Sequence, residues 1–162
     1  MKILCAIGLR GGPGLINRVV EISGTQAELI LLHVIDTRPH HDLDQILRTS
    51  AWGRSRSTGG ENELLSAEQA AGRDAINESM NAAKRAGFQV GSAKIAWGKP
   101  EHIIVDTAGE ALSDLIVIRA REGSQGRPRI GPASVGHVAR YVLDHAPCDV
   151  LLLREIEVAK GD

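Results

Sequence analysis

LILLHVI, residues 29–35, is an apolar run in which His33 is the only polar residue. Runs dense in Ile, Val and Leu are typical of strands buried on both faces, as in a parallel sheet covered by helices. Four runs in the chain are of this kind, and a fifth, VGSAKIAW, alternates more and predicts a strand nearer an edge. The runs are ILCAI (3–7), LILLHVI (29–35), VGSAKIAW (90–97), LIVI (115–118) and VLLL (150–153).

Helical patterns separate these runs. A first helix is predicted with Pro13 in its first turn and Gly24 at its end. An Ala/Glu/Asn-rich segment predicts a second helix over residues 61–87. A third helix follows Pro100 and a fourth closes before Pro147. Their apolar positions are Leu15, Ile16, Val19 and Val20; Ile104, Ala108, Ala111 and Leu112; and Val135, Val138, Ala139 and Val142.

Strict alternation of strands and helices predicts a doubly wound parallel sheet with right-handed crossovers, which is a three-layer α/β/α sandwich. A chain of 162 residues with 43% hydrophobic content suits a single domain over residues 1–162. Residues 37–60 are Arg/Ser/Gly-rich and weakly patterned, so we expect a poorly ordered, flexible insertion there.

Composition argues against several classes of partner. Nineteen Lys and Arg against twenty Asp and Glu leave no overall field for nucleic acid or an acidic membrane, and aromatics are only 2% of the chain. No apolar run reaches the ~20 residues of a spanning helix, and the N-terminal run is too short for a signal peptide. Cys5 and Cys148 lie in or beside apolar runs without metal-ligand spacing, which favours buried thiols in a reducing, cytoplasmic setting.

Two glycine-rich segments follow predicted strands, where ligands of parallel sheets bind. GLRGGPG (8–14) lacks the GxGxxG spacing, and unless Asp36 serves, it also lacks the acidic residue of dinucleotide-binding folds. A tight strand-to-helix turn is therefore the better interpretation of this segment. The second segment, REGSQGRPRIGPASVGH (121–137), contains glycines spaced as G-xx-G-x9-G, with basic residues nearby.

GKPEHII (98–104), DLIVI (114–118), the glycine motif and VGHVARYVLDHAPCDVLLL (135–153) together resemble the universal stress protein family. The resemblance covers most of the chain, with residues 37–60 outside it. It implies a five-stranded parallel sheet of order 3-2-1-4-5, Rossmann-like and similar to the adenine nucleotide alpha hydrolases. It also implies a homodimer formed through the last strand and binding of ATP or AMP, with Mg as an optional companion ion.

Carried over residue by residue, the resemblance makes Gly123 and Gly126 a cradle for phosphates and ribose, and Gly136 the opening of the last helix. The implied nucleotide-binding set is Ile7, Gly8, Val34, Ile118, Gly123, Ser124, Gly126, Arg127, Gly136, His137 and Val138.

The chain departs from the family pattern at three points. His137 stands where a small hydroxyl is expected, Gly8 stands where nucleotide-binding members carry an Asp, and the residues 119–122 intervene before the first motif glycine. Loss of a charged acceptor is worth ~1.5–3 kcal/mol. Four arginines add positive charge that suits phosphate: Arg119, Arg121, Arg127 and Arg129.

These residues favour a regulatory binding protein with no catalytic residues and no metal site. The alternative is a dimer of the same type that has lost nucleotide binding and acts on an unknown protein partner; an enzyme of a related nucleotide-handling family is a third reading. His40, His41 and Asp42 predict a polar loop and not a metal site, and no carboxylate is evident beside Ser134 and His137 to support a hydrolase. The run VLLLREIEV (150–158) predicts an edge strand that pairs with its copy.

Overall fold

Strands and helices alternate along the chain as the apolar runs predict. The computed structural model describes residues 1–38, 57–121 and 130–154, with only the backbone of 57–62. The strands are β1 (Lys2–Ala6), β2 (Glu28–Asp36), β3 (Gln89–Gly98), β4 (Leu115–Arg119) and β5 (Asp149–Leu153). The helices are α1 (Gly12–Ser23), α2 (Ser57–Ala86), α3 (Pro100–Glu110) and α4 (His137–His145).

The five strands form one parallel sheet in the order β3-β2-β1-β4-β5. Cys5 in the central strand β1 pairs with Leu31 of β2 on one side and Val117 of β4 on the other. The edge position predicted for β3 is confirmed, and so is the order 3-2-1-4-5. Because the chain winds outward in opposite directions from β1 and β4, the strand order reverses between them.

Two apolar cores cover the two faces of the sheet. Ile3 and Cys5 face the side that packs against α1 and α2, whereas Leu4 faces α3 and α4 together with Ile104 and Val142. All but Ile104, which is 4% exposed, are inaccessible to solvent. Each fully buried aliphatic side chain contributes about 1.5–3 kcal/mol, so the β-α alternation is held by burial on both faces. The three-layer α/β/α sandwich is confirmed.

Some helix boundaries differ from the sequence-based prediction. Helix α2 begins at Ser57 and not at residue 61, and its backbone continues through Gly59 and Gly60 despite their poor helix preference. Leu112, predicted for the apolar stripe of α3, lies beyond the end of that helix with φ 52° and is 79% exposed. Residues 39–56 of the predicted insertion lie outside the described residues.

A glycine allows α2 to pack closely against β2. A Cβ built on Gly72 would lie 2.6 Å from Cδ2 and 3.0 Å from Nε2 of His33. Since real Cβ atoms do not come this close to a ring, only glycine accommodates this helix-to-strand spacing.

The two cysteines are unpaired thiols. Cys5 is inaccessible, and burial raises its pKa to about 12. Cys148 is half-buried, and burial also raises its pKa. Across residues 1–38, 57–121 and 130–154, no helix is long and apolar enough to cross a membrane.

Candidate functional site

A cavity of about 570 Å³ opens above the carboxyl ends of the central strands. Its lining comes from the segments that leave β1 and β4, from the second half of β2, from Glu68 of α2, and from the starts of α3 and α4. This is the reversal point of the strand order, where ligands of open parallel sheets bind. We call it the switch-point cavity.

One wall of the switch-point cavity is apolar. Val34, Ile118 and Val138 line it together with Ile104, and all four belong to or pack against the core on the α3/α4 side. Side chains already immobilised in a core form a preorganised surface for a flat, apolar ring.

The first glycine-rich segment accommodates an arginine. Arg119 Nη2 donates to the carbonyl of Gly11 at 2.8 Å. A Cβ on Gly11 would lie 2.6 Å from Arg119 Nη1, and one on Gly14 would lie 3.0 Å from Nη2. With φ 71° at Gly11, the segment behaves as a tight turn shaped around Arg119, in line with the turn interpretation.

His33 lies at the base of the cavity. The residue is 5% exposed, and its Nδ1 lies 2.8 Å from the carbonyl oxygen of Ile7. Because a carbonyl can only accept, Nδ1 carries a proton, which leaves Nε2 bare in the neutral ring. His33 is a hydrogen-bonded core histidine, as the sequence predicts.

Helix α4 begins beside the cavity without a side-chain cap. Gly136 precedes it with φ 83°, a conformation that favours glycine, and Arg140 N donates to the Gly136 carbonyl. Ser134 is buried and its Oγ accepts from Arg154 Nη1 at 3.1 Å, so it does not form a pair with His137. The first turn of α4 thus presents backbone N–H groups at its positive end.

Four charged or titratable side chains meet at the edge of the cavity, and we call them the rim cluster: Asp36, Arg38, Glu101 and His137. Arg38 connects the other members: its Nη2 donates to Asp36 Oδ2 at 2.6 Å, and its Nη1 donates to Glu101 Oε1 at 2.9 Å. Arg38 Nη1 also lies 3.1 Å from His137 Nε2, which in turn lies 3.7 Å from Glu101 Oε2. The cluster ties the end of β2 to the starts of α3 and α4.

Arg38 governs the ionisation of Asp36. Its hydrogen bonds to the carboxylate lower the pKa of Asp36 below the ordinary value of 3.8. Asp36 lines the cavity, as do Pro100 and Val138, the chain neighbours of Glu101 and His137. The rim cluster therefore borders the space that a ligand would fill.

The fold brings together part of the sequence-predicted set. Ile7, Gly8, Val34, Ile118 and Val138 line the cavity. Gly136 and His137 lie at its edge. The other four, Gly123, Ser124, Gly126 and Arg127, lie outside the described residues, as do Arg129 and His40 to Asp42.

Sequence reasoning missed Arg38 and Glu101. It found no carboxylate near His137, whereas Glu101 at the start of α3 supplies one. The available signal was the position of Arg38 and Glu101 just beyond the ends of β2 and β3, where the carboxyl ends of parallel strands converge. Within the described ranges, no group of three or more His, Cys, Asp or Glu side chains could hold a metal ion.

The family model described as the universal stress protein family matches residues 1–154. A putative universal stress protein of Staphylococcus haemolyticus is 28% identical over 144 residues, covering 88% of this chain and 76% of that protein. The structure of the universal stress protein UspA from Lactobacillus plantarum has a TM-score of 0.69 and 29% identity, covering 95% of this chain and 97% of its own.

More distant solved structures share the fold and were determined with nucleotides. A universal stress protein family member from Arabidopsis thaliana with AMP bound has a TM-score of 0.60 and 18% identity, over 100% of this chain and 96% of its own. A universal stress protein in complex with cAMP and one from Archaeoglobus fulgidus in complex with dAMP have TM-scores of 0.55 and 0.57.

Proposed function

The chain belongs to the universal stress protein family, and on that premise we propose that it is a regulatory protein that binds an adenine nucleotide, ATP or AMP. The observation that carries the proposal is the switch-point cavity of about 570 Å³, which is large enough for a small-molecule ligand. The adenine-containing ligands of three neighbouring structures support the ligand class.

We assign the two ends of the nucleotide from the chemistry of the cavity. The apolar wall of Val34, Ile104 and Ile118 suits the adenine ring. The uncapped start of α4 at Gly136 and His137 suits the phosphates, because helix N-termini bind anions through their N–H groups and dipole. The sequence motif adds Gly123, Ser124, Gly126 and Arg127 to this end as a proposal.

A binding role suits the lining better than covalent catalysis. Among the described residues that line the cavity there is no Ser, Thr, Cys or Lys to act as a nucleophile. Two carboxylates, Asp36 and Glu68, line the cavity, and that of Asp36 is held by Arg38. With no three-residue ligand group in the described ranges, Mg²⁺ would enter on the phosphates of ATP and not on a protein site.

We further propose a cytoplasmic homodimer that pairs through residues 150–158. Strand β5 is at the edge of the sheet in the described residues, and Val150, Leu151 and Leu152 are only half-buried. Ala120 N donates to the carbonyl of Leu153 at 2.8 Å, so the backbone groups of Leu153 face β4. By alternation, those of Val150 and Leu152 face outward and are available to a second copy.

The second candidate function is a dimer of this family that binds no nucleotide and acts through protein contacts. Two observations favour it: no carboxylate stands at Gly8, and His137 at the start of α4 is already engaged by Arg38. A binding experiment on variants of Gly8 separates the two functions.

Gly8→Asp restores the carboxylate that nucleotide-binding relatives carry. A Cβ at Gly8 meets only the Arg10 carbonyl at 3.7 Å, an ordinary contact, so the side chain fits without strain. If the proposal holds, Gly8→Asp should bind ATP or AMP about 10–100 times more tightly than the wild type, equivalent to ~1.5–3 kcal/mol. Gly8→Ala is the matched control and should leave affinity unchanged.

Thermal unfolding with and without millimolar nucleotide measures this effect. A ligand at a hundred times its Kd adds about 2.7 kcal/mol of stability. Gly126→Val should abolish the nucleotide-dependent rise without unfolding the protein. If neither the wild type nor Gly8→Asp gains stability with ATP, AMP or cyclic AMP, the nucleotide proposal is wrong and the protein-contact function takes its place.

A further inference from the structure

The rim cluster contains a buried carboxylate oxygen whose hydrogen-bonding capacity is unused. Glu101 is 7% exposed, and its Oε1 accepts from Arg38. Its Oε2 is fully buried and accepts no hydrogen bond from the described residues. A buried acceptor without a donor is destabilising, so an arrangement that supplies a donor to Oε2 is favoured.

His137 could be that donor, but not in its present protonation state. A guanidinium has only donors, so the 3.1 Å contact from Arg38 Nη1 makes His137 Nε2 an acceptor and places the ring proton on Nδ1. A bare Nε2 has nothing to give to Glu101 Oε2, 3.7 Å away. A proton on Nε2 would reverse both relations, because it would repel Arg38 and donate to Oε2 after a small turn of the ring.

We propose that His137 switches between these two arrangements when a phosphate binds at the start of α4, so that the site takes up one proton with the phosphate. The inference rests on the proposed nucleotide function. The proton comes from solvent to Nε2, the Arg38 Nη1 to Nε2 hydrogen bond breaks, and an Nε2–H to Oε2 hydrogen bond forms. His137 Nδ1–H, which is protonated in both arrangements, and the Arg38 Nη1 N–H released from Nε2 are then the donors for the anion.

Charged groups of both signs lie around His137. Asp36, close enough for its charge to interact with that of His137, and Glu101 favour the imidazolium form. Arg38, Arg121 beside Gly136, and the positive end of α4 oppose it. A phosphate adds up to two negative charges to this balance and tips it toward protonation.

Calorimetric affinities for AMP and adenosine, measured from about pH 8 to about pH 6.5 where imidazoles titrate, test the proposal. His137→Gln is the matched variant, because glutamine keeps a donor and an acceptor but does not titrate. In the wild type, AMP affinity should rise as pH falls, by up to about tenfold per pH unit for one proton taken up. Adenosine affinity should be independent of pH.

The difference between wild type and His137→Gln removes the titration of AMP itself, whose second phosphate pKa is about 6. Glu101→Gln should flatten the pH slope of AMP affinity, since the acceptor for Nε2–H is weakened. The imidazole NMR signal missing from His137→Gln should move to its protonated position when AMP is added to the wild type.

Equal pH slopes in the wild type and His137→Gln, with AMP still bound, would show that the proposed function stands and the proton switch is wrong. A wild type that binds neither AMP nor adenosine at any pH would instead overturn the proposed function, and the switch with it.

Discussion

Replacement of Gly72 by alanine tests how closely α2 packs on the base of the cavity. A Cβ there would lie 2.6 Å from His33 Cδ2. The ring cannot turn away at no cost, because Nδ1 donates to Ile7 at 2.8 Å and the residue is 5% exposed. Either the helix must shift outward or the His33 hydrogen bond must break.

The expected magnitude follows from three contributions. Overpacking costs about 1–3 kcal/mol, and strain on the His33 hydrogen bond up to about 1 kcal/mol more. The better helix preference of alanine offsets about 1 kcal/mol. Gly72→Ala should therefore lower the free energy of unfolding by up to about 3 kcal/mol, and each kcal/mol lowers Tm by about 2–4 °C in a chain of this size.

Gly109→Ala is the matched control. Gly109 also lies in a helix, α3, but it is exposed and a Cβ there would come no closer than 4.0 Å to Pro147. This substitution should raise stability by up to about 1 kcal/mol. Urea unfolding followed by circular dichroism, at one protein concentration and with unchanged m, measures both variants. A Gly72→Ala protein as stable as Gly109→Ala would refute the close approach of α2 to His33.

Three further predictions concern other parts of the molecule. A thiol reagent near pH 8 should label Cys148 slowly and Cys5 not at all in the folded protein, because burial raises the pKa of Cys5 to about 12; rapid labelling of both would contradict this. Asp36→Asn should cost up to about 1 kcal/mol at neutral pH. Because Arg38 lowers the pKa of Asp36, the wild type should be more stable than Asp36→Asn by the full amount above the ordinary pKa of 3.8. This difference in unfolding free energy should disappear as pH falls through the folded-state pKa, which unfolding measurements at a series of acid pH values will test. If the chain forms the proposed dimer, Val150→Pro removes an outward N–H and should yield a folded monomer in analytical ultracentrifugation; an unchanged dimer would place the interface elsewhere.

The fold could be predicted from the sequence because its main signals are local. A strand buried on both faces must be almost entirely apolar. A run such as LILLHVI can therefore be recognised as a strand without knowing which strands pair with it. The ends of the helices were harder to predict from the sequence. Helix α2 begins at Ser57 although Gly59 and Gly60 disfavour a helix, and Leu112 lies beyond the end of α3 with a positive φ. Neither feature follows from local preference.

The position of the candidate site was also within reach of the sequence. Gly8, Val34 and Ile118 each follow or end a predicted strand, and parallel strands bring their carboxyl ends to one edge. The family resemblance predicted these three residues as site residues, and the convergence of strand ends explains why they line one cavity.

The chemistry of the site depended on the tertiary structure. Arg38 meets Glu101 across 63 residues, and Arg119 meets Gly11 across 108. Such pairs leave no periodic trace, because a charged side chain at the end of a strand reads as an ordinary solvated residue until the register and helix packing set its neighbours. The sequence by itself determined which segments are buried strands, how the layers are arranged and at which edge of the sheet the cavity lies. These features follow from the hydrophobic pattern. Only the fold decided which charges meet at the cavity rim, since side-chain contacts depend on distances of a few ångströms between segments far apart in the chain.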